Sequence, residues 1–252
     1  MIKACLLALA AISLAVSAEG QDSHWAYEGE MGPEHWTELE GSACSGEQQS
    51  PVNIIRTDAA PPRSSAWPME LHYSPQTMIF DAVNNGHSIQ FDFAKGDERT
   101  FRGERFSLTQ LHFHEPSEHT LNGVRYPIEM HMVHFSEKIQ QFVVLAVLGY
   151  EGKPSPGYEQ LESVLPLAPG ERSEINKAFD LESILPSRLT PRFHYTGSLT
   201  TPPCIEGVYW VVFEEPFMLS EPQVELLKRN MPRNNYRDVQ PLNGREVSLV
   251  VH

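Results

Sequence analysis

Apolar and polar residues alternate in several short runs of this chain, and a period of two predicts β-strands. Between His87 and Phe93, the residues Ile89, Phe91 and Phe93 interleave with polar neighbours. The same alternation runs from Phe106 to His114 and from Glu129 to Phe135. Gln141 to Leu148 reads QFVVLAVL, nearly all apolar, which predicts a strand buried on both faces. Val208 to Phe213 has the same character. Helical signals are few. Ser220-Glu-Pro-Gln223 is a capping box with proline in the first turn, and a helix is expected to continue through Val224 to Arg229. Glu171 to Phe179 is a second short helix candidate. The 20 prolines and 16 glycines are spread throughout, as expected where many short strands meet turns. No repeat or linker divides the chain, so the pattern predicts one mostly β (α+β) domain.

The first eighteen residues change the picture of where the protein works. Lys3 starts a positive segment, Ala4 to Val16 is almost wholly apolar, and Val16-Ser17-Ala18 supplies the small residues that precede a signal-peptidase cut. The apolar run is too short to span a bilayer, which takes about 20 helical residues. Residues 1–18 are therefore expected to be a cleaved signal peptide, and residues 19–252 the exported domain, with no membrane insertion. The formal net charge is −14, and the leader carries one lysine and no acid, so the mature chain is more acidic still. Such a surface repels nucleic acid and anionic lipid. Cys5 leaves with the leader. Cys44 and Cys204 remain as an even pair in an oxidising compartment, where a disulfide is expected and two free thiols are the alternative.

Candidate chemistry lies in two of the predicted strands. Gln110, His112 and His114 share one face of the first, and Glu129, His131 and Val133 share one face of the second. If the strands are neighbours, three imidazoles converge. Three neutral His ligands suit Zn²⁺ and leave one coordination position open. Gln110 and Glu129 each stand two residues before a ligand, placed to accept the ring N–H that faces away from the metal. His114-Glu-Pro-Ser-Glu-His119 resembles a zincin motif, but His119 falls one place late and Pro116 would spoil the helix. A cupin-like site of His112, His114 and Glu118 remains as an alternative, although the glycines that usually frame it are replaced by Phe106 and Arg125.

Ten segments, in order, resemble the alpha-class carbonic anhydrases over almost the whole mature chain. They are Trp25-Ala-Tyr27, Gly32-Pro-Glu-His-Trp36, Gln49-Ser-Pro-Val-Asn-Ile54, Asn84-Asn-Gly-His87 and Gln110 to His114. Ser117-Glu-His-Thr120, Glu129 to His134, Leu145-Ala-Val-Leu-Gly149, Gly197-Ser-Leu-Thr-Thr-Pro-Pro203 and Gln240-Pro-Leu-Asn-Gly-Arg245 complete them. The resemblance implies a large, twisted, mainly antiparallel sheet with a few short peripheral helices. It implies reversible hydration of carbon dioxide to bicarbonate and a proton by zinc-hydroxide attack. His112, His114 and His131 match the family's zinc ligands. Thr200 matches the threonine that accepts from the hydroxide, and Glu118 its carboxylate partner. Val133, Val147, Leu199 and Trp210 match the apolar wall of the substrate pocket, with Thr201 beside them. His87 matches the proton shuttle, Tyr27 a tyrosine of the intervening water network, and Cys44 and Cys204 a disulfide.

Two departures lie beside the matched site. Glu115-Pro116 stands where animal members usually carry tryptophan, and Phe135 replaces another tryptophan. The wording of this region and the short loops look like bacterial members, a resemblance that implies a periplasmic or secreted enzyme and a homodimer. No nucleic-acid partner is expected.

Overall fold

The computed structural model describes residues 25–61, 73–165 and 167–251. The expected leader, residues 1–18, lies outside them. The first strands are β1 (Asn53–Ile54), β2 (Thr77–Asn84), β3 (Ile89–Phe93), β4 (Glu98–Phe101) and β5 (Glu104–His114). Next come β6 (Thr120–Leu121), β7 (Val124–Arg125), β8 (Ile128–Ser136) and β9 (Gln141–Glu151). β10 (Arg172–Phe179), β11 (Arg192–Ser198), β12 (Glu206–Leu219) and β13 (Ser248–Val250) complete the set. The helices are α1 (Pro156–Glu162) and α2 (Glu221–Arg229), with short 3₁₀ turns between elements.

One large sheet dominates, in the order β10-β2-β3-β5-β8-β9-β12-β11-β13, with β4 pairing to β5. β9 and β12 run parallel, and the other described ladders of this sheet are antiparallel. The alternating patterns predicted from the sequence form β3, β5 and β8, and the apolar runs form the central pair β9 and β12. On one face, Phe91, Leu111, Phe113, Met130, Met132 and Leu145 build the main core. Tyr158, Leu161, Val224 and Leu227 of the two helices belong to the same core, so α1 and α2 cover this face. On the other face, Val133, Val144, Ala146, Phe193, Tyr195 and Trp210 form a smaller cluster.

The helix expected after Ser220 is present. Gln223 Oε1 accepts the Ser220 N–H at 3.1 Å and the Ser155 N–H at 2.9 Å, so one side chain caps α2 and ties it to the start of α1. The other helix candidate, Glu171 to Phe179, is corrected: Arg172–Phe179 forms the edge strand β10, paired antiparallel with β2. A nine-residue segment carries little helical preference of its own. The unpaired backbone groups of β2 offered it a full ladder of hydrogen bonds instead. A register shift between Glu174 and Lys177, with Asn176 at φ 48°, breaks the flatness of that edge. No helix among the described residues is long and apolar enough to cross a membrane.

Candidate metal centre

β5 and β8 lie side by side, with His112 directly opposite His131 and His114 opposite Glu129. The register is pinned from the far face. Leu111, Phe113, Met130 and Met132 are all fully buried there, and a one-residue slip would exchange them for the polar set. The three imidazoles therefore converge, with ring centroids 5.0, 5.1 and 4.6 Å apart. One ligand atom from each lies within 4.8 Å of the others.

Each ring has one nitrogen already committed. His112 Nδ1 lies 2.7 Å from Gln110 Oε1, His131 Nε2 2.7 Å from Glu129 Oε1, and His114 Nδ1 2.6 Å from the Asn235 carbonyl. All three partners accept, so each ring nitrogen must donate, which leaves lone pairs on His112 Nε2, His114 Nε2 and His131 Nδ1. Burial, reinforced by the neighbouring imidazoles, holds the pKa of His112 well below the usual value. Burial lowers His114 as well, against the opposing pull of Glu118. Both rings are thus neutral, as metal ligands must be. Burial alone would raise Glu129, but favourable electrostatics and hydrogen bonds from the His119 and His131 rings hold it well below the carboxylate range. It is an anion that orients the His131 ring.

His114 Nε2 is buried with no hydrogen-bond partner, and so is Glu118 Oε2, 3.5 Å away. Two orphaned buried polar atoms side by side would cost about 1–3 kcal/mol each. A cation shared by three lone pairs removes that cost, so the residues fit zinc. Glu118 does not join the imidazoles in the cupin manner; the third donor comes from His131 on the neighbouring strand. The other oxygen of Glu118 accepts the Arg237 N–H at 2.9 Å. Among the described residues Oε2 has no partner, so the expected Thr200–Glu118 hydrogen bond is not formed here. Thr200 itself is buried, in the segment that follows β11.

Val133, Leu199 and Trp210 belong to one apolar cluster on the ligand face. Trp210 is held there by a 2.9 Å bond from its indole N–H to the Ser198 carbonyl. Val147 is corrected. It pairs with Met130 and lies in the core of the opposite face, while Val144 and Ala146 face the site opposite Val133 and His131. Thr201 accepts the Cys204 N–H at 2.8 Å, which closes the turn after Thr200.

Cys44 and Cys204 form a disulfide across 160 residues of sequence. It fastens the Thr200 segment to the N-terminal region, alongside a 2.8 Å bond from the Ala43 N–H to the Pro203 carbonyl. His87 lies on the Asn84–Ser88 turn, where Gly86 takes φ 83° and Asn85 Oδ1 accepts the His87 and Ser88 N–H groups. Its ring stacks on Trp25, with centroids 3.6 Å apart and planes 9° from parallel. Tyr27 is buried beside them, and burial, reinforced by Glu118, pushes its hydroxyl well above the usual phenol value. A cleft lined by Trp25, Tyr27, Asn85, His87 and Arg233 opens beside the turn.

Three functional groups escaped the sequence reading. The Asn235 carbonyl that orients His114 belongs to the main chain and leaves no side-chain signal. His119 donates to Glu129 at 2.6 Å from Nδ1 and lies 2.7 Å from the Tyr195 hydroxyl, so the zincin-like His braces the ligand network. Arg237 is buried, and its guanidinium bonds Gln49, the Ser50 carbonyl and the Cys44 carbonyl. Of the two departures, Glu115 pairs with Lys228 of α2 at 3.4 Å, and Phe135 packs against Phe142.

Comparison with known proteins places this geometry in a lineage. Residues 31–251 match the model of the eukaryotic-type carbonic anhydrases. The chain is 38% identical to a carbonic anhydrase of Neisseria gonorrhoeae, covering 96% of this chain and 94% of that one. It is 40% identical to one of Klebsiella pneumoniae, covering 97% of both. Among solved structures, the alpha-carbonic anhydrase of Thermovibrio ammonificans, in complex with the inhibitor sulfanilamide, superposes with a TM-score of 0.83 at 40% identity. That match covers 90% of this chain and 99% of the other.

Proposed function

The chain belongs to the eukaryotic-type carbonic anhydrase family, and we propose that it hydrates carbon dioxide reversibly to bicarbonate and a proton with zinc held by His112, His114 and His131. The observation that carries this reading is the convergence of three uncommitted imidazole nitrogens beside the orphaned Glu118 Oε2. When bound, zinc supplies a nucleophile from water at neutral pH, chemistry for which carbonic anhydrases are the standard example. Gln110, Glu129 and the Asn235 carbonyl hold the ligand rings in one tautomer. A carboxylate at Glu118 accepts only; a Thr200 hydroxyl turned toward it keeps its own lone pairs for orienting the nucleophile. Val133, Leu199 and Trp210 offer carbon dioxide an apolar resting place free of competing hydrogen bonds. His87 takes up the released proton and passes it to buffer, a task suited to an imidazole near neutral pH.

Stopped-flow carbon dioxide hydration on the zinc-loaded protein, with His112→Ala as control, tests the reading. Rapid hydration that vanishes in the control is expected. A folded, zinc-containing protein without hydration would overturn it.

The same reading includes cleavage after Ala18, a catalytic domain of residues 19–252, and a periplasmic or secreted location. The disulfide supports export, since such bonds persist in oxidising compartments. An N-terminus at Glu19 in the exported fraction, read by mass spectrometry, is the expected result. Homodimer formation, the remaining expectation, is tested by sedimentation.

A further inference from the structure

The Asn235 side chain touches both halves of the proton pathway. It is fully buried, and Nδ2 donates to the His87 carbonyl at 3.0 Å and to the Phe113 carbonyl at 3.1 Å. Oδ1 accepts the Glu115 N–H at 2.7 Å, and the backbone carbonyl of the same residue orients His114. One amide thus clamps the shuttle turn to the stretch of β5 that carries a ligand, with both donors and its acceptor used. Ser88 adds a parallel tie, its Oγ donating to the Phe113 carbonyl at 2.5 Å. Asn84 anchors the turn from below, donating to the Leu167 and Asn230 carbonyls.

Phe113 and His87 lie far from Asn235 in sequence, so only the fold brings these bonds together. The His87 ring stacks on Trp25, and the turn that carries it is held to β5 through Asn235 and Ser88. Proton transfer through ordered water depends on the separation and orientation of donor and acceptor. We infer that the Asn235 side chain is a positioning residue for proton release: it fixes the His87 backbone relative to the ligand strand and so sets where the imidazole stands. The inference rests on the shuttle reading of His87 proposed above.

The test compares wild type, Asn235→Ala, Asn235→Ser and His87→Ala in weak buffer. For Asn235→Ala, kcat, which reports proton release, is expected to fall about tenfold, and kcat/KM, which reports carbon dioxide conversion, by a smaller factor. Imidazole buffer should restore kcat. Asn235→Ser, which keeps one short donor, should fall between, and it serves in place of the alanine variant if that one does not fold. A second readout needs no metal. In the zinc-free protein, the His87 ring protons, identified by their loss in His87→Ala, should move away from the field position imposed by stacking on Trp25. Parallel loss of kcat and kcat/KM without imidazole rescue would overturn the inference, as would unmoved His87 resonances with unchanged kcat. If His87→Ala keeps full kcat, the shuttle reading fails and the inference falls with it. If His87→Ala is slow and Asn235→Ala is not, the inference alone falls.

Discussion

His131 and His134 stand three residues apart on β8, both buried, and they face opposite layers of the sheet. His134 has both nitrogens engaged: Nδ1 lies 3.1 Å from the Met132 carbonyl and Nε2 2.8 Å from the Tyr73 hydroxyl. The Arg99 guanidinium caps that tyrosine, 4.3 Å from its ring centre. His131 has one nitrogen on Glu129, and its other lone pair converges with two more. Burial pushes His134 down to about 4, and it also lowers His112 and His114, so a depressed pKa does not distinguish the clustered rings from a core histidine. The number of uncommitted lone pairs does. The far-face histidine is a satisfied member of the core, and the near-face one keeps a lone pair beside two others, in a group able to hold a cation.

The comparison breaks most sharply on substitution. His131→Ala should abolish both bound zinc, measured by metal analysis, and hydration. His134→Ala should keep zinc while losing about 2 kcal/mol of stability, because the buried Tyr73 hydroxyl is left without its partner. If His134→Ala also loses zinc, the two layers are not independent.

A smaller effect separates them by pH. The folded pKa of His134, about 4, lies below the ordinary 6.5. Between those values the unfolded chain binds more protons, so stability rises with pH across the window and is lost as pH falls through it. The loss attributable to this residue is on the order of 3 kcal/mol. Denaturation midpoints from pH 7 to 4 should therefore fall less steeply in His134→Gln than in wild type, and equal slopes would contradict the assignment.

The smallest contrast concerns the partners. Gln110→Ala should weaken zinc binding by about 10–100-fold, as loss of an orienting acceptor does elsewhere. Tyr73→Phe, the matching deletion on the far face, should leave zinc affinity in place and lower stability by about 1 kcal/mol. Competition with a chromogenic chelator reads the first, and urea unfolding the second.

Much of this was legible because both strands of the site alternate. The period of two in Gln110–His114 and Glu129–Val133 puts polar residues on one face and Leu111, Phe113, Met130 and Met132 on the other, whatever the rest of the chain does. Where alternation fails, so does legibility. QFVVLAVL is apolar on both faces, so its pattern cannot say whether Val144 or Val147 meets the site, and the choice waited on pairing with β8. Glu171–Phe179 read as helix because an edge strand with charged residues and one neighbour lacks a clear period.

By itself, then, the sequence determined the strand faces, the three clustered imidazoles with two side-chain acceptors, and the cysteine pair, since these follow from local periodicity and from residue types whose chemistry is intrinsic; the family followed from the resemblance of ten segments in order. Tertiary structure decided the third acceptor, the braces at His119, Arg237 and Asn235, and the partnership of each carboxylate oxygen. Those contacts join main-chain groups and side chains more than a hundred residues apart in several cases, and a backbone carbonyl has the same identity at every position. Only the packing of the 235–237 segment against the end of β5, the Glu118 loop and the turn before β3 gives such a group a neighbour.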